Sequence, residues 1–209
     1  IAGDFAEGEA ENNVNVAKLD LQGDATSAVK GVRYASVGGL YGRFGAVQSD
    51  SDKNSSNSGP ITVLNVETAA DNSTTLNLGG VAGYIDSESP LSSLTNTGAV
   101  TADLVANFTA FAIGGIAGSM AIEYSYDPED DVTSDLSPEY KRQYELKAVI
   151  QECTNEGAIQ AKRSYAGGVC GRMDLGLITD SCGFGSVASD SGDYVGGIAG
   201  QTGSTVRQS

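Results

Sequence analysis

Residues 194–200 read Tyr194-Val195-Gly196-Gly197-Ile198-Ala199-Gly200, three glycines in seven positions around two aliphatic residues. Glycine inside an extended segment is costly, because it gives up the most backbone freedom on folding and packs no side chain. The patch recurs. Apolar-Gly-Gly-apolar-x-Gly occurs five times, with glycines at Gly38, Gly39 and Gly42; Gly79, Gly80 and Gly83; Gly114, Gly115 and Gly118; Gly167, Gly168 and Gly171; and Gly196, Gly197 and Gly200. Recurrence at this fidelity marks an internal repeat rather than a phosphate loop.

A second signature lies between the patches: Asn57-Ser58-Gly59-Pro60-Ile61, Asn96-Thr97-Gly98-Ala99-Val100 and Asn155-Glu156-Gly157-Ala158-Ile159. Gly183-Phe184-Gly185-Ser186-Val187 is a degenerate copy, and Asn12-Asn13-Val14-Asn15-Val16 reads as a weaker one. Apolar-x-x-small pairs precede it, as in Leu91 and Leu94 or Ile150 and Cys153. The first glycines of successive patches are 41, 35, 53 and 29 residues apart. The shortest interval is the bare unit. Extra residues before the early patches taper toward the C-terminus and read as hairpin extensions, as where Thr62–Val66 and Thr75–Leu78 flank a turn-rich segment.

Short runs rich in Val, Ile and Thr, bounded by Gly, Asn and Ser, read as strands. A single unit cannot bury an apolar face, whereas stacked units pair rung on rung at about 4.8 Å. The sequence therefore predicts an all-β solenoid, right-handed and parallel β-helix-like, of about five rungs. It forms a single repeat domain over 1–209, with repeats at about 12–42, 52–83, 91–118, 150–171 and 178–200. Within each patch the apolar residues are three apart, so on a straight strand they would face opposite sides. The preferred account is a glycine bend that turns both toward the core; the competing account is a strand buried on both faces with a neighbouring backbone close by. The repeated Asn suits a corner, where it tolerates a left-handed conformation. Residues 119–149 interrupt the pattern, and 134–149 read as helical, with Ser137 as N-cap and Pro138 in the first turn. The opening at Ile1 and the renewed pattern at Val206 and Ser209 predict a piece of a longer array.

Composition narrows the function. Twelve basic against 27 acidic residues give a net charge of −15, which disfavours nucleic acid and anionic membranes as partners. The absence of histidine removes Ser-His and Cys-His devices and the commonest metal ligand. The three cysteines, Cys153, Cys170 and Cys182, form no CxxC and read as small buried residues. No apolar run is long enough to span a bilayer. The glycine patches lack the strand–loop–helix setting and Lys-Ser/Thr ending of a nucleotide site. Asp50-Ser51-Asp52-Lys53-Asn54 resembles the opening of a calcium loop but lacks its later glycine and glutamate. The acidic and aromatic insertion supplies the candidate binding residues, Tyr124, Tyr126, Asp127, Asp130 and Asp131; calcium there is the alternative to an expectation of no cofactor and no metal. Equivalent strand positions carry Gly, Ala, Val and Ser, so no paired-carboxylate constellation for glycoside chemistry is visible, and no catalytic residue is assigned.

The Gly-Gly-apolar-Ala-Gly patch preceded by Asn-x-Gly-x-Val/Ile resembles the GLUG motif over roughly residues 36–209. Gly196-Gly197-Ile198-Ala199-Gly200 with Gly185-Ser186-Val187 is a good example. The resemblance implies a large surface-exposed or secreted bacterial protein, of the kind that includes adhesin-like proteins and some IgA-specific peptidases; it transfers no catalytic residue. The expected function is a non-catalytic repeat module at the bacterial cell surface or outside the cell, used for adhesion or as a rigid spacer. Its partner would be a host or cell-surface protein or glycan. The alternatives are a glycan-binding or glycan-processing β-helix and an accessory domain of a large secreted peptidase.

Overall fold

The structure is a computed structural model that describes residues 2–22, 29–32, 34–46, 51–64, 66–68, 75–87, 89–103, 110–121, 148–162, 165–190 and 194–203. The described residues contain strands and no helix. Each strand pairs with its equivalent in the next copy, and every described pairing is parallel. The chain is thus a β-solenoid of five coils, spanning 10–44, 52–85, 91–120, 149–173 and 177–202.

Five sheets run along the solenoid, taken in the order in which one coil visits them. Sheet one stacks Ala10–Glu11, Asp52–Lys53, Leu91–Ser92, Val149–Gln151 and Leu177–Thr179. Sheet two stacks Val14–Asn15, Ser56–Asn57, Thr95–Asn96, Thr154–Asn155 and Cys182–Gly183. Sheet three stacks Leu19–Gln22, Ile61–Leu64, Val100–Asp103, Ile159–Ala161 and Val187–Ser189. Sheet four stacks Tyr34–Gly38, Thr75–Gly79, Ala110–Gly114, Tyr165–Gly167 and Tyr194–Gly196. Sheet five stacks Tyr41–Phe44, Ala82–Ile85, Ala117–Met120, Cys170–Met173 and Ala199–Thr202, preceded by Ala2–Phe5. That first strand pairs Ala2 with Tyr41 and Phe5 with Phe44. Its sequence signal is the half-patch Ile1-Ala2-Gly3, which repeats Ile198-Ala199-Gly200.

Glycine columns hold the register. Gly38, Gly79, Gly114, Gly167 and Gly196 pair in sequence along sheet four. The next two residues of each patch make a bend, and sheet five begins beyond it. The bend does not turn both flanking residues to one core. Leu78, Ile113 and Ala166 enter one apolar cluster, formed by sheets three and four with Ile61, Val63, Leu76, Val100 and Ile159. Val81, Ile116 and Val169, three residues on, enter another, formed by sheets five, one and two with Leu40, Phe44, Ile85, Leu91, Leu94 and Ile150. The competing account therefore describes the glycines: in coils two and three sheet four is buried on both faces, and a neighbouring backbone lies against it. A methyl group on Gly83 would sit 2.5 Å from the Val37 nitrogen, and one on Gly171 2.5 Å from the Ile113 nitrogen, where no real Cβ fits.

The two core lobes meet at a waist. There the second glycine of each patch faces the Asn of sheet two: a methyl on Gly39, Gly80 or Gly115 would overlap the side chain of Asn57, Asn96 or Asn155 respectively. These asparagines form a ladder. Asn15 Nδ2 donates to Asn57 Oδ1 at 2.7 Å, Asn57 to Asn96 at 2.9 Å, and Asn96 to Asn155 at 2.8 Å. Each amide also donates to the carbonyl two residues on, as Asn96 does to Gly98 at 2.8 Å. Every buried amide thus has partners within and between coils, which a buried polar group requires.

Three local expectations change. The left-handed corner belongs not to this Asn but to the residue three earlier: Asn12, Asn54, Ser93, Glu152 and Asp180 have φ of 56°, 59°, 58°, 54° and 49°. The first copy is shifted accordingly, with Asn15 rather than Asn12 in the ladder and Ala17 in the place of Gly59. The strands flanking the early excursions do not pair with each other; they lie in sheets three and four. Within the excursions Val29–Val32 pairs in parallel with Val66–Thr68 of the next coil, with a register shift between Val66 and Thr68, since the neighbouring coil already offers an edge.

Candidate functional site

The repeat glycines are structural, as their columns show. The candidate binding residues Tyr124, Tyr126, Asp127, Asp130 and Asp131, and the helical reading of 134–149, lie outside the described residues. Chemistry-bearing side chains gather at two places that the sequence did not single out as sites.

The first is internal. Sheet one aligns Ala10, Asp52, Leu91, Ile150 and Ile178, so a carboxylate occupies an otherwise apolar column. Asp52 is fully buried. Tyr41 Oη donates to its Oδ2 at 2.8 Å and Ser55 Oγ to its Oδ1 at 2.6 Å. The three residues replace apolar equivalents as a set. Tyr41 stands where coils two and three have Ala82 and Ala117, and Ser55 where coil three has Leu94. Burial pushes the Asp52 carboxyl above its ordinary range, against the opposing hydrogen bonds from Ser55, Tyr41 and the Lys53 backbone. Burial, then the contact with Asp52, raises Tyr41 likewise. Phe5 stacks on Phe44 at 5.3 Å and packs against Tyr41 at 5.2 Å, closing this end of the lobe. In the stretch that resembles the opening of a calcium loop, Asp52 points into the core and Asn54 forms the left-handed corner, while Asp50 lies outside the described residues.

The second place is on the outside of coils four and five. Tyr165 and Tyr194 are paired in sheet four and stack at 5.3 Å with 18° between their planes. Arg172 reaches across from sheet five, with its guanidinium carbon 5.7 Å from the Tyr165 ring centre. Its Nε and a terminal nitrogen donate to Asp174 at 3.0 and 2.8 Å, a fork-on-fork pair whose carboxylate side chain is wholly buried. Gln201 follows Arg172 in the same column, and its Oε1 is buried without a hydrogen-bond partner among the described residues. With Asp174 covered and Arg172 largely so, the surface that this cluster presents is the exposed Tyr194 ring, backed by Tyr165.

Cys153 and Cys170 are buried, as read from the sequence, and burial raises their thiols to about 11 and about 12. Cys182 departs from that reading. It is exposed, on the outer face of sheet two in the column of Thr95 and Thr154. Among the described residues no three His, Cys, Asp or Glu side chains converge on a metal position. No family model, curated protein or solved structure matches the chain.

Proposed function

We propose that this chain is a non-catalytic repeat module of a bacterial cell-surface or secreted protein, serving as a rigid spacer and binding scaffold. The observation that carries the reading is the division of labour between columns. Internal columns of Gly and Asn repeat from coil to coil and lock the register, while the outer column of sheet three changes residue along the solenoid, as Asp20, Thr62, Thr101, Gln160 and Ala188. A rigid rod with a variable surface is what repeat scaffolds use for recognition. The resemblance to GLUG repeats supports the bacterial surface or secreted setting. The test is a glycan and matrix-protein array probed with the purified chain. Saturable binding of a ligand recovered intact is expected; release of a cleaved ligand would refute the non-catalytic reading.

A glycan is the favoured ligand class within this reading because the Tyr165–Tyr194 stack, with Arg172 beside it, leaves the Tyr194 ring exposed as a flat CH-binding surface. The net charge of −15 favours a neutral glycan over an anionic one. Tyr194→Ala should weaken capture of such a glycan at least tenfold while leaving the unfolding midpoint unchanged; unaltered capture would remove this cluster from the site.

A further inference from the structure

We infer that the outer face of coil five is a docking face for one further coil of this same repeat. Three independent features converge there. First, the core columns run out to the surface without a change of chemistry. Val195 continues Leu78, Ile113 and Ala166, and Ile198 continues Val81, Ile116 and Val169. Ala166 and Val169 are fully buried beneath coil five, whereas Val195 and Ile198 are 48 % and 42 % exposed. Tyr194, stacked on Tyr165 on one face, is 58 % exposed.

Second, the backbone carries an empty socket. In coils one to four the second glycine of the patch faces the carbonyl of its counterpart one coil on: Gly39 faces Gly80, Gly80 faces Gly115, Gly115 faces Gly168 and Gly168 faces Gly197. At Gly197 an added methyl meets no atom of the described residues within 4 Å. Among the described residues five strands end their sheets at this face, each presenting a row of backbone donors and acceptors that a parallel strand fits. The intercoil interface established four times below simply continues to this level.

Third, the opposite end is built differently, which excludes a second copy stacked head to tail. It bears the exposed carboxylates Asp4, Glu7, Glu9 and Glu11, and Phe5 lies over Tyr41 and Phe44. Its outermost strand, Ala2–Phe5, serves sheet five alone. Placed on coil five, it would desolvate carboxylates over an apolar surface and leave the other four sheets unmatched. The partner that fits is a coil carrying Asn-x-Gly and apolar-Gly-Gly-apolar-x-Gly in the same register.

The test inserts a second copy of residues 174–202 directly after Thr202 and keeps everything else. Amide exchange at Val195 and Ile198 should slow by on the order of tenfold or more, because each coil is stabilised through its neighbours. Gly197→Ala should be harmless in the chain as it stands and disruptive in the extended chain, where the new glycine carbonyl meets the added methyl. Unprotected inserted amides, or a Gly197→Ala that stays neutral in the extended chain, would overturn the inference. So would concentration-dependent dimerisation of the unextended chain that Ile198→Lys abolishes, since a second copy would then be the occupant. The inserted coil would also cover the free face of Tyr194, so ligand capture is tested on the unextended chain, where its failure leaves the docking inference standing.

Discussion

At the waist, Asn57, Asn96 and Asn155 face the second glycines Gly39, Gly80 and Gly115, in a column that begins at Asn15; in the lobe of sheets five, one and two, one column runs Ala10, Asp52, Leu91, Ile150 and Ile178. Both columns are internal; the first keeps Asn in four coils and yields only to Gly183 in the last, whereas the second changes in size and polarity. At the waist backbone meets backbone, and an asparagine saturates the carbonyls around it, so nothing larger than hydrogen fits beside it. In the lobe side chains meet side chains, and volume and polarity can be traded between them. Coil two shows the trade: Asp52 and Ser55 stand where coil three has Leu91 and Leu94, and Tyr41 supplies both the bulk and a donor.

The contrast is broken hardest at the waist. Gly115→Ala places a methyl onto the Asn155 side chain and the Gly168 carbonyl. It should cost more than about 4 kcal/mol, enough to remove the cooperative thermal transition. Asn96→Leu keeps the branching, in somewhat greater bulk, but strands the Gly98 carbonyl, the Asn57 amide and the Asn155 oxygen. A loss of about 3 kcal/mol is expected in urea unfolding; less than about 1 kcal/mol would mean that the ladder contributes little.

In the lobe the expected effect is smaller and depends on pH. Asp52 has its carboxyl pKa raised above the ordinary 3.8 by burial, so the folded state favours the protonated form. That contribution is complete below the ordinary value and is lost as pH rises through the folded pKa. Compared with Asp52→Asn, the wild type should therefore lose stability as pH climbs from about 4, by up to ~1.4 kcal/mol per pH unit while the group titrates. Urea unfolding of both proteins between pH 3.5 and 7.5 checks the sign; parallel curves would show that Asp52 titrates no differently when folded. The smallest effect belongs to Gly197→Ala, which shares the waist column but meets nothing. A change within about 0.5 kcal/mol would tie the glycine requirement to contact rather than to the motif.

The same contrast explains what could be read from the residues alone. Positions limited by backbone contact admit one solution, so the five glycine patches and the Asn-x-Gly copies announce the stacked all-β fold directly. Where that solution is relaxed, the reading slips. Ala17 stands in the place of a glycine in coil one, and the first Asn was consequently aligned three residues early. The division into two lobes is not encoded in any periodicity, because the residues on either side of each Gly-Gly pair are equally apolar whichever core they enter. Asp52 sits in an acidic run that imitates a calcium loop, and only its alignment with Leu91 and Ile150 reveals a core position. Tyr165, Tyr194 and Arg172 are far enough apart in sequence that only the register of sheets four and five brings them together.

The central claim is that equivalent residues form columns along the solenoid, one coil above the next. The outer column of sheet three, Asp20, Thr62, Thr101, Gln160 and Ala188, allows a direct measurement. Nitroxides at Asp20→Cys and Ala188→Cys, with Cys182 replaced by serine and the buried Cys153 and Cys170 left in place, report the span of four intercoil steps. Electron–electron resonance should give one narrow distance near ~19 Å, four times the strand spacing of about 4.8 Å. A broad distribution, or a separation well beyond 30 Å, would contradict the stacked coils.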